Sequence, residues 1–146
     1  SKAYNAQITF TWWKDWRFNL KYGYKKEEGE TGGEKTTESR IHTSGIDVEA
    51  RLMLPEFWKI PLIGKRIRTA GEMKIKALFN AEIKRSELNV ERDNTDTYST
   101  LLSSDFSVGT NLMLTLGSGM TFFVNRALPQ NNYFAVNVTT TLTIKF

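Results

Sequence analysis

Counting back from Phe146, every second residue of the last stretch is apolar or β-branched: Ile144, Leu142, Thr140, Val138, Val136 and Phe134. Between them stand Lys145, Thr143, Thr141, Thr139, Asn137 and Ala135, polar except for the alanine. A period of two places the two sets on opposite faces of a β-strand. The alternation recurs along the whole chain. Tyr4 to Trp13 sets Ala6, Ile8, Phe10 and Trp12 against Asn5, Gln7, Thr9 and Thr11. After a tight turn at Lys14-Asp15, Arg17 to Lys25 sets Phe18, Leu20, Tyr22 and Tyr24 against Arg17, Asn19, Lys21 and Lys25. Gly45 to Leu54 sets Ile46, Val48, Ala50 and Leu52 against Asp47, Glu49 and Arg51. The longest run, Arg68 to Lys84, sets Met73, Ile75, Ala77, Phe79, Ala81 and Ile83 against Glu72, Lys74, Lys76, Asn80 and Glu82. Charges at i, i+2 and i+4 share one face of a strand but scatter around a helix, so a strand is predicted.

Ser104 to Leu116 predicts a fifth strand, Gly117-Ser118-Gly119 a tight turn, and Met120, Phe122 and Val124 the start of a sixth. Tyr133 to Phe146 is the seventh. Lys26 to Arg40 and Ser86 to Thr100 are polar and predict long solvated loops. Pro55 to Arg66 holds two prolines with Phe57 and Trp58, a compact connection kept out of a ladder by its prolines. Asn125 to Asn132 is a medium loop. The expectation is an all-β fold: an antiparallel barrel wall of about seven strands, one segment over residues 1–146. Alternation alone does not say which face is outside. A soluble lipocalin-like carrier would turn the apolar row inward, onto a ligand.

Composition narrows the choice. The net charge is only +4, and its carriers alternate with apolar residues instead of forming the contiguous basic patch of a nucleic-acid binder. The absence of cysteine excludes disulfides and thiolate metal sites. No run of 18 apolar residues exists, which excludes a membrane-spanning helix. Mean hydropathy is negative, but half-polar barrel strands are invisible to such a scale. His42 lies near Ser39 and Ser44 and could form a Ser–His pair; a solvated loop histidine is the simpler reading. Glu27, Glu28 and Glu30, or Glu91, Asp93 and Asp96, offer oxygen ligands for Ca²⁺ without EF-hand spacing. No Gly-rich phosphate loop opens a helix. Neither catalytic residues, nor a cofactor, nor a metal is therefore expected.

A last strand ending on Phe146, with Ile144, Leu142 and Val138 in its row, resembles the C-terminal insertion signal of bacterial outer-membrane β-barrel proteins. The resemblance implies an outer-membrane location, lipid against the apolar row, the barrel-insertion machinery as a partner and a periplasmic C-terminus. Short turns then fall on the periplasmic side and the polar loops outside. Trp12, Trp16 and Trp58, with Trp13 and Phe57, would form the inner aromatic girdle; Tyr24 and Tyr133, with Tyr98, the outer one. Lys21, Asp47, Glu49, Arg51, Lys74 and Glu82 would line a wet lumen. Bacterial barrels of this kind have an even strand number. Seven strands therefore imply the C-terminal portion of a larger barrel closed by further strands or subunits. The alternative is a complete eight-stranded barrel with a structural, adhesive or porin-like role. No signal peptide opens the chain, which fits a mature form or a piece of a longer one.

The order LPEFWKIPLIGKR, Lys-rich strand, polar loop, strand–Gly turn–strand and terminal strand is similar to the C-terminal strands of the SprA-type translocon of type IX secretion. That similarity implies a non-enzymatic wall in a protein-conducting channel. Deleting Phe146, or Phe146→Asp, is expected to impair assembly, read as the fraction of protein recovered in the outer membrane. Normal insertion of either variant counts against the resemblance.

Overall fold

The computed structural model describes residues 1–31, 33–54, 57–59, 66–88, 94–108 and 112–144. Among these residues eight strands follow one another: β1 (Lys2–Trp12), β2 (Trp16–Thr31), β3 (Glu34–Met53), β4 (Phe57–Lys59), β5 (Arg66–Ser86), β6 (Thr95–Val108), β7 (Leu112–Asn125) and β8 (Tyr133–Ile144). Seven of them form one antiparallel sheet in the order β1-β2-β3-β5-β6-β7-β8, each beside its neighbour in sequence. The three-residue β4 pairs only with the start of β5, Phe57 opposite Arg68 and Lys59 opposite Arg66. The all-β, seven-strand expectation is met in this antiparallel sheet. It is not closed: among the described residues β1 and β8 do not pair with each other.

Three predicted boundaries are wrong. Lys26 to Arg40 is not a long loop, because β2 and β3 continue through it as a ladder from Lys26 opposite Arg40 to Thr31 opposite Glu34. Charge alternating in sign two residues apart lets an all-polar strand form. Lys25 pairs with Glu27 on one face and Lys26 with Glu28, 2.5 Å apart, on the other. Gly117-Ser118-Gly119 is not a turn but the middle of β7. The preceding strand, β6, begins at Thr95 inside the predicted second loop and ends at Val108; residues 109–111 lie outside the described residues. The glycines mark close approach instead. A Cβ on Gly117 would stand 2.5 Å from Thr139 Oγ1, and one on Gly119 would collide with Asn137 Oδ1.

Pairing is direct from edge to edge. One row runs Ile8, Leu20, Ile46, Phe79, Thr100, Met120 and Val136 across all seven strands. The next runs Thr9, Asn19, Asp47, Leu78, Leu101, Gly119 and Asn137. Neighbouring rows point to opposite faces, so the sheet has one apolar and one polar side. There is almost no core. Among the described residues only Ala50, Ala81 and Phe106 are buried apolar side chains.

The β1–β2 turn contains the sole non-glycine residue with positive φ among those described, Trp13 at φ 56°. A left-handed conformation costs a bulky L-residue about 1–2 kcal/mol, and this side chain is 81% exposed, so packing does not offset the strain. Trp13→Gly is expected to raise stability by about 1 kcal/mol, measured as the urea midpoint of the refolded protein. An unchanged or lowered midpoint would show that the indole contributes more than the strain costs.

Candidate functional site: the two faces of the wall

The apolar side is built by parity. On β1 it carries Tyr4, Ala6, Ile8, Phe10 and Trp12, opposite Tyr24, Tyr22, Leu20, Phe18 and Trp16 of β2. β3 adds Ile46, Val48, Ala50 and Leu52; β5 adds Ile83, Ala81, Phe79, Ala77, Ile75 and Met73. The rows continue through Leu102 and Phe106 of β6, Phe122, Met120, Leu116 and Leu114 of β7, and Phe134 to Ile144 of β8. From Tyr4 to Trp12 on β1, or Phe134 to Ile144 on β8, this belt has the roughly 9–11 residues that carry a tilted strand across hydrocarbon. It is uncovered: Ile8 is 63%, Phe134 62% and Val138 75% exposed. Aromatic stacking across strands, Phe10 on Phe18 with ring centroids 5.1 Å apart, holds its register.

One step past Tyr4, Tyr24, His42 and Ile83 the belt ends in cations. Lys2, Lys26, Arg40 and Arg85 stand directly opposite one another on four consecutive strands of the sheet. Like charges so placed repel, and acids relieve them. Arg40 lies 2.9 Å from Glu38, and Lys26 3.6 Å from the same carboxylate. Donating a hydrogen bond to Glu28 raises the Lys26 pKa, donating one to Glu38 raises that of Arg40, and accepting one from Lys25 lowers that of Glu27. At the same level Asp96, 3% exposed, accepts from Arg126 Nε and Nη2 at 2.9 and 2.7 Å and lies 2.5 Å from Arg85 Nη2. The adjoining connection is tied by Asn125, whose Oδ1 accepts the backbone N–H of Ala127 and Leu128.

The polar side carries both signs, paired across strands. Thr9 Oγ1 donates to Asn19 Oδ1 at 3.1 Å, Asn19 Nδ2 donates to Asp47 at 3.2 Å, and Lys21 closes an ion pair with the same carboxylate. Lys76 lies 3.4 Å from Glu49, and Arg51 3.7 Å from Glu72. Towards the β1–β2 turn an open groove of about 360 Å³ is lined by Arg17, Arg51, Lys74 and Lys76 around Glu49.

The residues singled out from sequence are distributed unevenly over this frame. Ile144, Leu142 and Val138 share the apolar face, opposite Leu112, Leu114 and Ser118; Phe146 lies outside the described residues. Trp12 and Trp16 face each other at the end of the belt away from the cations. Trp58 falls on β4, opposite Ile67. Tyr24 stacks on Tyr4 at 6.3 Å, at the cation end. Tyr133 does not join it: it pairs with Phe123 on the polar face, ring centroids 5.1 Å apart. His42 hydrogen-bonds the Tyr22 hydroxyl at 3.1 Å and packs on the Tyr24 ring. By parity Ser39 is on the other side of the sheet from His42, so that Ser–His pairing is not assembled. Of the suggested calcium ligands, Glu27 and Glu28 point to opposite faces, Asp96 is held by arginines, and Glu91 and Asp93 lie outside the described residues. Sequence reading missed the cation row and Tyr4. The parity of the apolar row, carried one step further to Lys2 and Lys26, would have found both.

Removing Asp96 leaves Arg85 and Arg126 without their shared carboxylate. Asp96→Ala is expected to cost about 2–3 kcal/mol, the scale of a hydrogen bond to a charged group, and Glu87→Ala, whose side chain is 75% exposed, under about 1 kcal/mol. Urea midpoints of the two variants, which should differ clearly, check this. Comparison with protein-family models, with curated proteins and with solved structures finds no match to this chain.

Proposed function

We propose that this sheet is part of the wall of a bacterial outer-membrane β-barrel, with lipid on its apolar face and a wet lumen on its polar face. The observation that carries the reading is the uncharged, uncovered belt. Between the row of Tyr4 and the row of Trp12, the acids and bases of its face among the described residues are His42, hydrogen-bonded to Tyr22, and Asp96, neutralised by two arginines, and both lie in the boundary row of Tyr4. Seven strands at ~4.8 Å and ten residues at ~3.3 Å make roughly 1,100 Å², against about 300–600 Å² for the largest apolar patch of a typical soluble monomer. A surface of that size needs an apolar medium. Lipid fits its width, its tyrosine and tryptophan margins and its abrupt cationic border.

The class of barrel is a transport or protein-secretion channel, as the likeness to SprA-type translocons suggests. The polar face supports a conduit more than a binding pocket, since Lys21–Asp47, Lys76–Glu49 and Arg51–Glu72 pair across strands and its widest groove is open. Seven strands make an incomplete wall, because free strand edges are not tolerated in hydrocarbon. With the end of β8 in the periplasm, the cation row lies at the outer headgroup level. The β2–β3 hairpin then projects about 17 Å beyond it, from Glu27 to Thr31 at ~3.3 Å per residue. The insertion machinery would read the row ending at Phe146.

The faces can be tested by neighbouring residues of one strand. Met120 lies at mid-belt and Thr121 beside it on the polar face. Met120→Arg is expected to cost ~2–4 kcal/mol in lipid vesicles, while Thr121→Arg is tolerated. Equal costs in unfolding titrations would refute the assignment of faces. A protein that stays monodisperse without detergent or lipid would refute the membrane reading.

A further inference from the structure

The free edges of the sheet have a direction as well as a chemistry. β1 runs from Lys2, opposite Lys26, to Trp12, opposite Trp16. β8 runs from Tyr133, opposite Phe123, to Ile144, opposite Leu112. Six antiparallel steps separate them, an even number, so the two edge strands point the same way. Thr9 and Asn137 mark one row at its two ends. Every residue of β1, and every residue of β8 but Thr143, is exposed, so both edges are open to a partner.

Within a bilayer each unpaired backbone group costs several kcal/mol, and both edges must be paired. Three partners are conceivable, and strand direction separates them. Joining β1 to β8 makes a parallel seam. A second copy, related by an axis along the strands, brings β8 of one chain to β1 of the other and makes two parallel seams. Parallel pairs are less stable per residue than antiparallel ones, and antiparallel pairing throughout is the rule of bacterial barrels. An inserted set of strands preserves that pairing only if its number is odd.

Resting on the wall reading above, we infer that the sheet is completed by a β-segment with an odd number of strands, not by itself or by a second copy. The strands meeting β1 and β8 both run from the Trp12–Trp16 end to the Tyr4–Tyr24 end. They set apolar side chains beside Ile8, Phe10, Val136 and Val138, and polar ones beside Thr9 and Asn137.

The chain has no cysteine, so engineered thiols are unambiguous. Because barrel closure staggers the rows, cysteine pairs are scanned between the polar-face positions Asn5, Gln7, Thr9 and Thr11 of β1 and Asn137, Thr139, Thr141 and Thr143 of β8. They are oxidised in the assembly as it exists in its membrane, alongside the control pair Thr9→Cys with Asn19→Cys on adjacent strands. The expected result is a crosslinked control, no disulfide from any β1–β8 pair within or between chains, and an even strand total in a density map of the assembly. A link within one chain shows self-closure, a link between chains shows a second copy, and an odd strand total shows a parallel seam; each overturns the inference. Val138→Cys, on the apolar face, tests the underlying reading separately. It should resist a water-soluble maleimide in the membrane, and rapid labelling there means that the wall reading has failed, whatever the crosslinks show.

Discussion

Register is the constraint on which the two faces depend. A one-residue slip between any two strands would turn every side chain beyond it to the other side of the sheet. Here the parity holds through six consecutive pairings, from Ile8 to Val136, without a break inside the belt. The two irregularities fall beyond its margins. One lies at Gly29/Glu30 in the projecting hairpin, and the other between Thr69 and Met73, where Gly71 takes φ 86° and accepts the N–H of Leu54. Bulges at both margins and none between is the arrangement that keeps charge out of the apolar rows. Cross-strand aromatic pairs such as Phe10–Phe18, and ion pairs such as Lys76–Glu49, reinforce the same register from opposite sides.

Much of this was legible in the sequence because period-two alternation is local. The number of long strands, the faces of β1, β2, β3 and β5, and the apolar row of β8 follow from counting every second residue. What failed were the places where a residue type carries two meanings. Gly117 and Gly119 read as a turn, yet they lie inside β7 because Thr139 and Asn137 of β8 lean over them. Only the neighbouring strand reveals that. The stretch from Lys26 to Arg40 reads as loop because it lacks apolar residues, yet ladder bonds and ion pairs two residues apart hold it extended. Tyr133 is a different case: parity with Phe134 already placed it off the apolar row, and its aromatic character obscured that.

The margins of the belt are asymmetric, and the asymmetry has a physical reading. One end carries Trp12, Trp16 and the strained Trp13, the other Tyr4 and Tyr24 followed at once by Lys2, Lys26, Arg40 and Arg85. Aromatic rings with a polar tip favour the boundary between hydrocarbon and water, and long cations reach outward from it. The acids Glu28, Glu38 and Asp96 keep the cation row from repelling itself. Without them four like charges on adjacent strands would oppose the very pairing that fixes the faces.

The claim beneath all of this is that alternate residues of one strand meet lipid and water. Nitroxides placed singly along β7, from Leu112 to Asn125, measure it directly through collision with dissolved oxygen and with a polar nickel chelate in reconstituted vesicles. The account predicts a period-two profile, oxygen-rich at Leu114, Leu116, Ser118, Met120 and Phe122 and chelate-rich at Met113, Thr115, Thr121 and Phe123, with Gly117 and Gly119 left unlabelled because a side chain there would strike β8. A flat profile, or one in which the even positions meet the chelate as often as the odd, would contradict it.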